Sequence, residues 1–309
     1  MTTAPRLVIL DTDPGVDDAL ALLYLRARSQ RERPDLRLLA ITTVFGNADI
    51  KTTTRNALWL RQRLGLQAPV HKGAAKPLNR PLGRPPVHVH GENGLGDIDL
   101  SGPVLPAADP GVAHERIVDL VRALPGQVTI VAIGPLTNLA LALRAAPDIA
   151  SLVAEVVIMG GAFARGNVTP FAEANIHNDP EAAAEVLAAP WAITLAPLDA
   201  TLPCVLTDAT ARAMAETGDT GRFVHDLTRG YAATYARHEG LEGCVLHDVA
   251  ALIRLTDPEL FEVRSAPVSV TLDGERLGQT TWSEHGPARQ VCLNANGAEV
   301  VRRFQRTLA

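Results

Sequence analysis

The chain has 309 residues, 47% of them hydrophobic, with a formal net charge of −5. That length and composition suit a large core and exclude a disordered chain, and the mild negative charge, with no dense Lys/Arg run, gives no case for a nucleic-acid partner. No apolar segment reaches the roughly 20 residues of a membrane helix, the opening MTTAPRLVILD is too short and wrongly flanked for a signal peptide, and Cys204, Cys244 and Cys292 lack metal-type spacing and suit a reducing compartment; a cytoplasmic enzyme that does not touch membranes is expected.

In chain order, RLVIL (Arg6–Leu10) reads as a buried strand and DDALALLYLRAR (Asp17–Arg28) as a helix with acids in its first turn. LRLLAITTV (Leu36–Val44) is a strand, and the helix Asp49–Gly65 ends at glycine. Residues 73–110 are dense in Pro, Gly and His, a composition that marks a long functional or mobile connection. Then follow a helix (Gly111–Leu124), a strand (Gln127–Ile133), a helix (Pro135–Pro147), a strand (Ala154–Gly161), a helix (Asp179–Pro190) and a strand (Trp191–Leu198). Helices across 207–255, weaker strands across 266–293 and a closing helix complete the chain. Strand–helix alternation argues an α/β fold with an open, mainly parallel sheet flanked by helices. No linker or repeat divides residues 1–309, so one domain is expected. In such sheets ligands bind beyond the carboxyl ends of the strands, so Asp11–Asp18, Phe45–Asn47, Ile133–Gly134 and Met159–Glu173 converge on one rim.

DTDPGVDD crowds Asp11, Asp13, Asp17 and Asp18 around a Pro14–Gly15 turn. Two carboxylates about 4 Å apart repel by about 4 kcal/mol at an effective dielectric of 20, while a helix N-terminus returns only about 0.3–1 kcal/mol per group. Either some acids are protonated or a cation sits among them. Oxygen ligands without nearby Cys indicate a hard ion, Ca2+ or Mg2+. His247–Asp248, before an apolar helical run, is a distant partner, although each residue alone also reads as structural: a packed histidine and an N-cap. In the loop Met159–Ala183, Asn167, Glu173 and Asn175 have donors and acceptors for sugar hydroxyls, whereas Asn178 and Asp179 read as turn and cap. Tyr231 and Tyr235, four apart, share a helix face, a spacing that by itself reads as core packing of an amphipathic helix.

DTDPGVDD, ITTVFGN (Ile41–Asn47), HGENGLGD (His90–Asp97), AIGPLTNLALAL (Ala132–Leu143), IMGGAFARGNVTPFAEANIHNDPEAA (Ile158–Ala183) and LHDVAAL (Leu246–Leu252) together resemble, in order, the inosine–uridine-preferring nucleoside hydrolases. The resemblance runs from about residue 7 to about residue 255. It implies a fold related to doubly wound nucleotide-binding sheets, hydrolysis of a nucleoside to base and ribose, a Ca2+ cofactor, and a homodimer or homotetramer. It implies Asp13, Asp18, Asp248 and the Ile133 carbonyl as calcium ligands, Asp13 also as general base toward water, and Asp11 as a brace. Asp17, Asn47, Asn167, Glu173 and Asn175 would hold ribose or water, with Met159 beneath the sugar. His90, Tyr231 and Tyr235 would lie near the base, and His247 would give the leaving base its proton, since a free imidazole titrates near neutrality. Residues 256–309 show nothing catalytic. An aspartate-nucleophile phosphatase of the haloacid dehalogenase type places two Asp likewise, but Gly15 departs from its motif. A binding module that has lost activity is the other alternative.

Overall fold

The computed structural model describes residues 4–309; Met1–Thr3, the start of the segment weighed as a signal peptide, lie outside the described residues. The strands are β1 (Arg6–Thr12), β2 (Leu36–Thr43), β3 (Val70–Lys72), β4 (Val128–Ala132), β5 (Glu155–Met159), β6 (Ile193–Ala196), β7 (Val205–Leu206), β8 (Cys244–Val245), β9 (Phe261–Val270), β10 (Thr280–Trp282) and β11 (Ala288–Ala295). Nine form one sheet in the order β10-β9-β11-β6-β5-β4-β1-β2-β3, and β7 pairs with β8 in a separate ribbon. From β3 across to β11 every pairing is parallel; β9 and β10 add an antiparallel edge. Parallel strands joined by helical crossovers are buried on both faces, which is why β1 and β4 read as continuous apolar runs.

Two cores result. Val8 and Leu10 of β1 face the helices Val16–Ser29, His247–Thr256 and Gly297–Leu308, and Ile9 faces the helices Ala113–Ala123, Thr137–Ala145 and Pro180–Ala188. This is the period-2 alternation of a strand covered on both sides. The chain leaves β1 in one direction to β2 and β3 and later returns on its other side through β4, so the sheet's switch point lies between β1 and β4. Asp13 follows one of these strands and Ile133 the other.

The connection 73–110 is largely irregular, holding only the short helix Val87–His90, but it is fastened. Ala74 N–H donates to Asn138 Oδ1 (2.9 Å), Leu78 N–H to Asp179 Oδ2 (2.9 Å), and Arg80 pairs with Glu181. Asp179 also caps the helix Pro180–Ala188 through Ala182 N–H, as its sequence position suggests.

Arg289 of β11 is fully buried against the end of that same helix. Its guanidinium donates to the carbonyls of Leu187 (3.0 and 2.7 Å), Trp191 (2.6 Å) and Ala189. Burial pulls its pKa down to about 10, so it stays charged at neutral pH, where it complements the negative helix end. Arg289→Met should cost about 2–4 kcal/mol by leaving buried carbonyls unpaired; urea denaturation with an unchanged midpoint would contradict this.

Candidate active site

β1 ends at Thr12, and Asp13-Pro14-Gly15 turns the chain into the helix Val16–Ser29. Asp17 and Asp18 occupy that helix's first turn, where its dipole favours negative charge. Asp18 is tied at both oxygens: Thr12 Oγ1 donates to Oδ1 (2.5 Å), and Gly15 N–H (2.9 Å) and Asn47 Nδ2 (3.0 Å) donate to Oδ2. The backbone N–H of Asn47, which follows β2, donates to Asp13 Oδ2 at 2.7 Å. The backbone must pass very close to Asp13 here. A Cβ at Gly46 would lie 2.0 Å from its Oδ2, and one at Gly134 2.7 Å from its Oδ1, so only glycine fits either position.

A second helix N-terminus meets the first. The helix His247–Thr256 packs on Val16–Ser29, and Asp248 in its first turn brings a carboxylate oxygen within 4.8 Å of oxygens from Asp17 and Asp18. Asp17, not Asp13, completes this trio. Asp17 and Asp18 share one helical turn, while Asp13 is turned toward the Asn47 amide. Asp13 still lies against the cluster, since Asp18 and Asp17 both raise its pKa.

Burial is the largest influence on every one of these acids. It pushes Asp17 up to about 8 and Asp11 to about 7, and holds Asp13 and Asp248 well above the usual carboxylate range. Next for Asp248 come the charges of Asp17, Asp18, Asp13 and Glu173; no basic side chain is among the leading influences. Asp13 Oδ1 and Asp17 Oδ1 are buried without a hydrogen-bond partner. An all-oxygen donor set with unpartnered buried oxygens and no neutralising base fits a hard divalent cation. The Ile133 carbonyl is at hand: it accepts from Asn175 Nδ2 at 3.1 Å and keeps a second lone pair. Asp11 lies behind, inside β1, where Thr42 Oγ1 (2.5 Å) and Asn138 Nδ2 (2.8 Å) donate to its Oδ1.

The loop after β5 supplies the polar wall. Asn175 Nδ2 also donates to the Met159 carbonyl (3.1 Å), and Met159 Sδ lies 3.5 Å from the same amide. Glu173 accepts from the N–H groups of Asn175, Ile176 and Gly161, while burial pushes its pKa up to about 7. Asn167 is exposed, its Oδ1 accepting from Ala174 N–H (3.0 Å). This loop is pinned by the antiparallel edge, where the sequence showed no functional signal. Thr280 Oγ1 donates to Ala162 O (2.8 Å) and accepts from Ala162 N–H (2.9 Å), and Ala172 bridges Gln279.

Aromatic rings line another side. Tyr231 is buried and Tyr235 half-buried on the helix Asp219–Glu239, their rings edge-to-face at 5.0 Å. His90, from the 73–110 connection, stacks on Tyr231 at 5.4 Å, and its Nδ1 accepts from Val16 N–H at 3.2 Å. Burial drives His90 down to about 3. His247 Nε2 lies 2.7 Å from Tyr235 Oη, and its Nδ1 lies 2.7 Å from Thr201 Oγ1. Burial lowers its pKa to about 4, so the ring is neutral at pH 7; the near-neutral titration of a free imidazole does not carry over to this position. Thr201 and Asn138 also went unmarked in the sequence reading. Thr201 lies just past the carboxyl end of β6 and Asn138 inside the AIGPLTNLALAL motif, so the rule of the sheet's rim would have found both.

The described residues contain no helix long and apolar enough to cross a membrane. The family model for inosine-uridine preferring nucleoside hydrolase matches residues 8–304. Uridine nucleosidase 1 of Arabidopsis thaliana is 38% identical over 280 residues, covering 90% of this chain and 82% of that protein. The non-specific ribonucleoside hydrolase RihC of Salmonella paratyphi A is 40% identical over 280 residues, covering 90% and 88%. Among solved structures, a plant nucleoside hydrolase superposes with a TM-score of 0.90 at 31% identity, covering 98% of this chain and 99% of that one. A purine-preferring ribonucleoside hydrolase from Gardnerella vaginalis gives 0.91 at 31% identity, covering 98% of each chain. With the match spanning nearly the whole sequence and the acids gathered at the sheet's switch point, the chain belongs to the inosine-uridine preferring nucleoside hydrolases, a family of N-glycosyl hydrolases.

Proposed function

We propose that the chain hydrolyses the N-glycosidic bond of ribonucleosides with Ca2+ held at the acid cluster. The observation that carries this is the gathering of Asp13, Asp17, Asp18, Asp248 and Glu173 in one buried cluster, with Asp17 in contact with Tyr231 and so with the relay to His247. Asp13, Asp18, Asp248 and the Ile133 carbonyl would hold the ion, with Asp17 beside them and also free to meet a sugar hydroxyl. Bound there, the cation neutralises the acids and supplies Lewis-acid polarisation of water and of sugar hydroxyls.

The chain's own groups do the rest. Asp13 Oδ1, unpartnered, accepts a proton from the attacking water. Asp17, Asn47, Asn167, Glu173 and Asn175 hold the ribose, and Met159 lies under it. The carboxylates stabilise the oxocarbenium-like charge that develops on the sugar. The water oxygen bonds to the ribose anomeric carbon as the C–N bond breaks; the bond's electrons leave with the base, whose nitrogen takes a proton from the His247–Tyr235 pair, and the pair regains that proton from solvent. Tyr231 and His90 form the aromatic surface on which a base can stack.

The named relatives include a uridine nucleosidase, a non-specific hydrolase and a purine-preferring one, so the test is a panel. Incubation with inosine, uridine, cytidine and adenosine should release ribose from at least one, and Asp13→Ala should cut turnover by about 10²–10⁴-fold. No release from any nucleoside would sink the reading.

Calcium should raise the thermal midpoint of the chelator-treated protein, by about 2.7 kcal/mol of stabilisation at a concentration a hundred times Kd. Asp18→Asn should abolish the shift; a midpoint indifferent to EDTA and calcium would argue against a bound ion. His247→Ala should cost much more on inosine than on p-nitrophenyl riboside, whose leaving group needs no proton. Equal losses on both would remove the proton-donor role.

A further inference from the structure

Thr12 is the last residue of β1, and the alternation that aims Val8 and Leu10 at the helix Val16–Ser29 aims its side chain the same way. Asp11, of the opposite parity, points to the other face, where Asn138 meets it. Thr12 is fully buried. A hydroxyl withdrawn from water costs free energy unless it is bonded, and a valine of the same shape would avoid that cost. The hydroxyl has a partner in Asp18: Thr12 Oγ1 donates to Asp18 Oδ1 at 2.5 Å, its one hydrogen bond among the described residues.

The other donors to this carboxylate, Gly15 N–H (2.9 Å) and Asn47 Nδ2 (3.0 Å), both meet Oδ2. A carboxylate held at one oxygen can still turn about its Cβ–Cγ bond, a soft torsion. Held at both, its plane is set. Thr12 also gives the acid a rigid reference. Its carbonyl accepts from Val44 N–H at 3.0 Å, and the carbonyl of Asp11 before it accepts from Ile133 N–H at 2.8 Å. Asp18 and the Ile133 carbonyl are thereby fixed to one strand end.

We propose that Thr12 is a positioning residue for the cation site, its hydroxyl fixing the plane of the Asp18 carboxylate relative to the Ile133 carbonyl, so that a divalent cation enters without reordering that acid. The inference rests on the reading of Asp18 as a calcium ligand, and Thr12 acts through it. Losing an outer hydrogen-bond partner of this kind costs about 10–100-fold in metal affinity.

The test is calcium binding by titration calorimetry on the full-length, chelator-treated protein, with ribose release followed against calcium concentration. Thr12→Val, which keeps the shape and removes the hydroxyl, should weaken calcium binding about 10–100-fold and raise the half-activating calcium concentration by the same factor. At saturating calcium its kcat and KM should return to within about threefold of native, since every ligand is still present. Thr12→Ser, which keeps the hydroxyl, should bind calcium as the native protein does. Thr12→Ala, read in the same way, takes the place of the valine variant if that one does not fold. Native calcium affinity without the hydroxyl overturns the inference, as does a serine variant that binds as weakly as the valine one, or a fall in kcat that saturating calcium does not restore. Asp18→Asn separates this failure from that of the underlying reading. If it too binds calcium as the native protein does, the cation site is wrong and the inference falls with it; calcium lost in Asp18→Asn but kept in Thr12→Val removes Thr12 alone.

Discussion

The structure turns on the repulsion among carboxylates that the fold has taken out of water. Asp13, Asp17, Asp18, Asp248 and Glu173 act on one another from buried positions, and none can be moved without moving backbone that belongs to the sheet or to a helix end. Two helix N-termini directed at the cluster offset part of the cost, as do the amide and hydroxyl donors on Asp18 and Asp13. These donors orient the acids more than they neutralise them. A site arranged this way has its energy set for a positive charge to arrive.

Several contacts that look remote serve this arrangement. Asn138 and Thr42 hold Asp11, the brace behind the cluster. Asp179 gathers Thr137 Oγ1, Leu78 N–H and Ala182 N–H, and so ties the 73–110 connection to the helices that carry the rim. Thr280, on the antiparallel edge, clamps the loop that leads to Glu173 and Asn175. The sheet's antiparallel edge thus helps set the position of Glu173 and Asn175.

Most of the fold was legible because each strand–helix unit announces itself locally: an apolar run, a turn, then a helix with acids or a proline at its start. β3 escaped because three residues, Val70–Lys72, are too short to show a period. The acid cluster was legible from Asp11–Asp18 because like charge crowded beside a strand end demands an explanation. The membership of the close trio was not, because it depends on which way the Asn47 amide turns Asp13. The pKa of His247 was equally hidden, since burial is a property of the packed chain and not of the tripeptide around it.

The two halves of the site have different origins in the fold. The acids, Asn175 and Glu173 hang from strand ends or from the helices directly joined to them, whereas Tyr231, Tyr235 and His90 come from the helix Asp219–Glu239 and the connection 73–110, neither of which lies in the sheet. The Tyr235–His247 contact and the Val16 N–H to His90 bond cross between them. On the proposed reading, substitutions on the helix Asp219–Glu239 would reshape the surface offered to a base more than the groups proposed to meet the sugar. The same scaffold can diverge in which nucleobase it accepts without having to reinvent how it breaks the bond.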